Sequence, residues 1–324
     1  GRRDMATPVT TPPGSSDTPT ARAGASPARR GRARSGSRAW IAFVLPFAIP
    51  FVLFYLAPIV YAITQSLVRT ERTGGIFGES RTVFTGLDQY VAVFNEPAFR
   101  EGVGRMLLFG IVQVPIMLGL ALVLALLLDS AVARLKRLFR IVYFLPYAIP
   151  GVIAALMWAF LYSPQLSPVV NLLDAIGPRP DFLGSGTILW SIANVVTWTY
   201  TGYNMLIIFA ALQAIPTELS EAARVDGAGG VRIAWSIKIP IVAPALVLTA
   251  VFSIIGTLQL FTEPIVFRTI STNVTSGYTP NLLAFNIASA NNYPLAAATS
   301  VVLAVGTFIL SFGFFRFAQR RGWS

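Results

Sequence analysis

Six apolar runs, each about twenty residues or longer and none containing Asp, Glu, Lys or Arg, leave this chain few ways to fold. They cover residues 40–67, 106–128, 141–162, 187–212, 241–262 and 295–315. About twenty such residues span the hydrocarbon core of a bilayer as a helix. A charge at the centre of such a helix costs about 2.5–3.5 kcal/mol on insertion scales, so six uncharged runs are a pattern with a cause. Only 12% of the residues are charged, against about 25% in soluble domains, which points the same way. The expected fold is therefore an all-α integral membrane domain of six transmembrane helices over residues 39–320. Pro46, Pro50 and Pro58 should kink the first.

Residues 1–38 are rich in Pro, Gly, Ser, Thr, Ala and Arg and offer little apolar surface to bury, so they read as a disordered basic tail. The net charge of +11 would suggest nucleic acid on a soluble surface. Here eight Arg and two Asp place over half of that excess in the tail, with no aromatic residue among those arginines for stacking on bases. No nucleic-acid partner is expected. Membrane topology accounts for the charge instead. With the N-terminus inside, 18 of the 25 basic residues fall in the tail, 129–140, 213–240 and the C-terminus. Both ends and the 213–240 segment are then cytoplasmic.

Chemistry is limited by what is missing. There is no cysteine and no histidine, so thiolate chemistry, disulfides and the commonest metal ligand and general base are absent. Lys136 and Lys238 both lack a glycine-rich approach, so no P-loop for ATP occurs. No catalytic residue and no metal site is expected.

Two regions carry the polar residues of interest. The fourth run holds Asn194, Thr197, Trp198, Thr199, Tyr200, Thr201, Tyr203 and Asn204 in one band. Polar groups at that depth either bond a neighbouring helix or line a cavity, and interfacial aromatics form belts. As a band, aromatic faces and amides suit a neutral, hydroxyl-rich solute. Trp198, Tyr200, Tyr203 and Asn204 are candidates for a solute path, joined by Gln259, Glu263 and Asn286.

The second region is the polar stretch 215–240 between two apolar blocks. Thr217 is placed to cap a helix whose first turn carries Glu218 and Glu221. Ala222, Ala223, Gly227 and Ala228 keep its profile low, Gly229-Gly230 allow a turn, and a second short helix can run to Pro240. Composition alone fits either a finger projecting into water or an amphipathic hairpin lying on the membrane surface.

The spacing is more specific. Glu221-Ala222-Ala223, three residues, Gly227, nine residues, Ile237, one residue, then Ile239-Pro240 resembles the EAA loop of ATP-binding cassette importer permeases. Asp226-Gly227-Ala228 is similar to the carbohydrate-uptake class that includes the maltose and glycerol-phosphate permeases. Ile239 stands where the family usually has Leu, and Ala234 where it often has Phe. Residues 86–99, Phe144-Leu145-Pro146-Tyr147, Trp158 and Tyr162-Ser163-Pro164 are also similar to the family; in the first, Tyr90, Val91, Phe94 and Phe99 would rest on the membrane face. The usual Thr-Gly-Gly-Gly-Pro stretch is missing near Thr279-Pro280-Asn281, so no external docking residue is carried over.

The resemblance implies the transmembrane domain of a type I importer in a bacterial cytoplasmic membrane. Glu221, Ala222, Ala223, Asp226, Gly227, Gly229 and Gly230 would couple it to an ATPase. Glu221 would make the contact, Asp226 would brace the turn or simply form it, and Gly227 would allow close approach or simply end the helix. The implied partners are a dimer of ATP-binding subunits that uses ATP and Mg, a second and different permease chain, an extracytoplasmic solute-binding protein and membrane lipid. This chain would bind no cofactor itself. The competing reading is an ion-coupled secondary transporter, against which the uncharged runs count.

Overall fold

The computed structural model describes residues 36–73, 79–130, 135–177 and 180–322, so the tail read over 1–38 lies almost wholly outside the described residues. The chain divides between Leu53 and Phe54 into two units. Helix α1 (Gly36–Phe51) contains Pro46 and Pro50 and leads into a π-helical turn, Val52–Leu56. Helix α2 (Ala57–Gln65) follows with Pro58 in its first turn. The irregularity that three prolines predict thus takes the form of a widened turn between them, where the i→i−4 ladder has lost donors.

Beyond α2 comes an element that the apolar pattern does not announce. An antiparallel hairpin, β1 (Val68–Thr73) and β2 (Glu79–Phe84), pairs Val68 with Phe84 and Glu71 with Arg81. Its Thr and Val residues favour strands, but six-residue polar runs give little periodic signal. Helix α3 (Asp88–Asn95) is the expected short amphipathic segment. Val91 and Phe94 are exposed on it. Phe99 is not: it is buried with Val93, Leu283 and Ala298, and Tyr90 packs against that cluster and hydrogen-bonds Ser66 across 2.6 Å.

Helix α4 (Pro97–Asp129) is 33 residues long, about 50 Å at 1.5 Å per residue, and begins nine residues before the apolar run. Met106, Phe109, Gln113, Met117, Ala121, Ala125 and Leu128 are buried on one face, at spacings of three and four. Ile111, Ile116, Leu120, Val123 and Leu127 are exposed on the other, a surface suited to lipid. That buried face packs on helix α8 (Ile188–Gln213). Ala121 and Ala125 let the two backbones approach where Met205, Ile208 and Leu212 fill the seam.

The third run does not form a straight span. Helices α5 (Lys136–Ala148) and α6 (Gly151–Tyr162) meet at 93°. Pro150 removes a donor and pushes Ile149 into an extended conformation (ψ 130°), which ends α5. Helix α5 then crosses α8 at Gly202, where an added Cβ would lie 1.7 Å from the carbonyl oxygen of Tyr143. Only glycine fits that crossing.

After the short helix α7 (Pro168–Asp174) and α8 come α9 (Thr217–Val225) and α10 (Gly230–Ile233). A π-turn (Ala234–Lys238) joins α10 to α11 (Ile239–Leu258) without a break at Pro240, contrary to the expected stop there. Pro240 lacks a donor for that continuous helix, and the register shift of the π-turn just before it takes up the loss. Helices α12 (Thr262–Phe267), α13 (Pro280–Ser289) and α14 (Tyr293–Arg320) complete the chain. Among the described residues five helical runs are long and apolar enough to cross a bilayer, and six if the bent pair α5–α6 is one span.

Candidate functional site

A cavity of about 310 Å³ opens among α4, α5, α8 and the α11–α12 junction. Tyr147, at the end of α5, stacks on Tyr203 of α8 with ring centroids 4.6 Å apart, and meets Tyr200 edge-on at 5.8 Å. Tyr200, Tyr203 and Asn204 recur at three- and four-residue spacing and so share one face of α8. Asn204 donates through Nδ2 to the carbonyl oxygen of Tyr200 at 3.0 Å. Across from it, Gln113 of α4 donates to Thr197 Oγ1 at 3.2 Å, while its Oε1 is buried without a hydrogen-bond partner among the described residues.

The α11–α12 junction supplies the remaining wall. The helix breaks at Gln259 and resumes at Thr262, bringing Gln259, Thr262 and Glu263 to the cavity. Glu263 is only 7% exposed. Among the described residues the lining contains one carboxylate and neither Lys nor Arg, and Met117, Val196, Phe252 and Phe261 fill the gaps. Such a site offers hydrogen-bond donors, acceptors and ring faces but no counter-ion for an anion.

The finger lies at the other end of α8. Helix α9 begins after Pro216, which occupies the N-cap; Thr217 is the first helical residue and makes no cap, and Glu218 is the acid of its first turn. Pro216 sets a β-region φ/ψ, so the cap comes from backbone geometry and Thr217 is one residue too late to supply it. At the other end Gly227 has φ +80°. Its N–H donates to the Arg224 carbonyl at 3.0 Å, and that of Ala228 to the Ala223 carbonyl at 2.8 Å, a Schellman closure. The chain therefore reverses at Gly227, with Gly229 extended and Gly230 already helical, rather than at the Gly229-Gly230 pair. Glu221, Ala222, Asp226, Gly227, Gly229 and Gly230 are exposed, and Ala223 is half-buried. Val225 and Val231 are more than four-fifths exposed, and Trp235 nearly three-quarters. Apolar side chains thus rim the same loop that carries the exposed carboxylates.

Residues 117–322 match the family described as binding-protein-dependent transport system inner membrane component. The chain belongs to this family. The permease is 33% identical over 288 residues to the lactose transport system permease protein LacF of Rhizobium radiobacter, covering 85% of this chain and 93% of that one. It is 31% identical to the sn-glycerol-3-phosphate transport system permease protein UgpA of Agrobacterium fabrum, covering 86% and 94%. Its fold matches a chain of a bacterial ABC transporter involved in the import of the acidic polysaccharide alginate, with TM-score 0.75 at 21% identity, over 87% and 96% of the two chains. It is thus the membrane-spanning permease subunit of an ATP-binding cassette importer, a multi-pass inner-membrane protein.

Within the permease, five of the seven residues read as a solute path, Tyr200, Tyr203, Asn204, Gln259 and Glu263, meet at the cavity. Trp198 and Asn286 do not. Trp198 packs edge-on against Trp158 at 5.7 Å, because its position on α8 turns it toward α6. Asn286 accepts from Arg268 at 2.8 Å and donates to the carbonyls of Ser276 and Leu282, so it ties the 268–286 loop together. Arg105, on α4, lies 4.3 Å over the ring of Tyr278 in that segment. Burial pushes the Tyr278 phenol above its ordinary value, and the Arg105 charge draws it partly back. Gln113 and Tyr147 were missed as cavity residues. Gln113 had a signal, as the one amide in the second apolar run; Tyr147 reaches the cavity because α5 packs along α8, a contact the sequence does not announce.

Proposed function

We propose that this permease moves a sugar or similar neutral polyhydroxy solute across the bacterial cytoplasmic membrane by alternating access. The observation that carries this reading is the cavity beside Tyr147, Tyr200, Tyr203 and Asn204, whose lining among the described residues offers amides, hydroxyls and stacked rings without a cation. Sugar rings stack on aromatic faces through their C–H surfaces while their hydroxyls exchange hydrogen bonds with Gln113, Asn204, Gln259 and Glu263. An anionic solute would enter beside a carboxylate with no compensating charge. The names of the relatives, lactose and sn-glycerol-3-phosphate permeases, support a polyhydroxy solute.

Energy enters elsewhere. A dimer of ATP-binding subunits hydrolyses ATP with Mg and docks on the finger through Glu221 and the apolar rim, with Ala222, Ala223, Asp226, Gly227, Gly229 and Gly230 shaping that contact. A second, different permease chain completes the translocation path, and a solute-binding protein delivers cargo from the opposite side. Both termini lie in the cytoplasm, following the basic residues. This chain is a transport subunit without a catalytic group or bound cofactor of its own.

The test is uptake by the purified complex in proteoliposomes, with radiolabelled neutral mono- and disaccharides set against sn-glycerol 3-phosphate. ATP- and Mg-dependent uptake of a neutral sugar is expected. Transport by this chain alone, or uptake at constant ATP that an uncoupler abolishes, would overturn the proposal in favour of ion coupling.

A further inference from the structure

One carboxylate holds both roots of the finger. Asp129, the last residue of α4, accepts a hydrogen bond through Oδ1 from Gln213 Nε2 at 2.6 Å, and its Oδ2 is paired with Lys238 Nζ. Gln213 ends α8 just before the finger, and Lys238 ends the π-turn just after it. The Asp129 and Lys238 side chains are 10% and 19% exposed, and theirs is the one ion pair among the described residues. Salt and water therefore weaken it little. The end of a helix is where its dipole disfavours an acid, so the position of Asp129 is explained by its partners and not by α4.

We infer that Asp129 is a coupling residue, clipping the entry and exit of the finger to α4. The peptide chain already ties the finger to α8 and to α11. Nothing covalent nearby ties it to α4. Yet Gln113 on α4, Tyr200 and Tyr203 on α8, and Gln259 after α11 wall the same cavity. A displacement of the finger that moved α8 and α11 while α4 lagged would shear that cavity without reorienting it. The Asp129 carboxylate makes the three helix ends travel as one piece, which is what a rigid lever requires.

This rests on the reading of the finger as the ATPase contact, and the experiment separates the two. The complete complex, with ATPase, second permease and binding protein, is assayed for solute imported per ATP hydrolysed. Asp129→Asn and Lys238→Met each lower that ratio about fivefold while ATPase activity persists. Gln213→Leu, at an exposed residue, lowers it less. Reversing the pair (Asp129→Lys with Lys238→Asp) restores the ratio to within about twofold, the sign of a direct interaction. Import and ATPase activity falling in equal proportion, or a reversed pair no better than the singles, overturns the clip. Should either single variant fail to assemble, the Gln213→Leu and reversed-pair complexes decide the matter by the same ratio. If Glu221→Ala uncouples the complex and Asp129→Asn does not, the clip alone is wrong; if Glu221→Ala leaves the ratio unchanged, the finger reading itself fails.

Discussion

The cavity and the finger are built by opposite means. The cavity takes Gln113 from α4, Tyr147 from α5, Tyr200, Tyr203 and Asn204 from α8, and Gln259 and Glu263 from the α11–α12 break. The finger takes every element it has from one continuous stretch, with its turn closed by local hydrogen bonds at Gly227. The first depends on how helices pack, the second on backbone conformation over a few residues. A substitution at a packing contact should therefore disturb the cavity from a distance, whereas one in the finger should act where it is made.

The largest effect expected from this contrast is at Gly202, which touches no solute. Gly202→Ala would drive a Cβ into the Tyr143 carbonyl, costing about 3 kcal/mol as overpacking that backbone must relieve. The folded yield in detergent and the midpoint of thermal unfolding should both drop. A variant of wild-type stability would break the claim that α5 is held against α8 by this contact.

Next comes the finger. Glu221→Arg replaces an exposed acid and should cut ATP-driven uptake about tenfold or more through the lost coupling free energy. Thermal stability should stay within about 0.5 kcal/mol of wild type, as for other exposed positions. A large loss of stability would show that Glu221 serves the fold.

Tyr147→Ala removes a ring stacked 4.6 Å from Tyr203. Aromatic pairs are worth about 0.5–1.5 kcal/mol beyond area, so half-maximal uptake should need roughly three- to tenfold more solute, with the coupling ratio unchanged. A changed ratio at constant half-saturation would move Tyr147 out of the solute path.

The smallest pair of effects lies within the finger turn. Gly227→Ala forces a side chain into φ +80° and should cost about 1 kcal/mol. Gly229→Ala, at φ −72° with open space around it, should cost less than about 0.5 kcal/mol. Hydrogen exchange at Arg224–Ala228 distinguishes the two, and equal effects would contradict the assignment of the reversal to Gly227.

The finger was legible because its signals are local. Glu221-Ala222-Ala223 and Gly227 stand at spacings along the chain that need no knowledge of neighbours, and the resemblance to importer permeases rests on them. Even so, Thr217 and Pro216 exchanged roles at the helix start, and Pro240 proved no barrier, since the π-turn before it takes up the donor it lacks. The cavity was only half legible. Polar residues on α8 marked the depth of a site, but Trp198 sits on that same helix and faces Trp158 instead.

What the sequence alone determined is the set of membrane helices, because a bilayer admits only segments that are apolar and satisfy their own backbone hydrogen bonds. It also determined that a short helical finger stands at 215–240, though not that the chain reverses at Gly227 rather than at Gly229-Gly230. The tertiary structure alone decided which faces meet: the 93° bend after α5, the stacking of Tyr147 on Tyr203, the crossing at Gly202, and the joining of Asp129, Gln213 and Lys238. Those contacts link residues up to about a hundred positions apart. In a lipid-like interior, where every helix surface is similarly apolar, only close packing and a few polar bonds discriminate between partners.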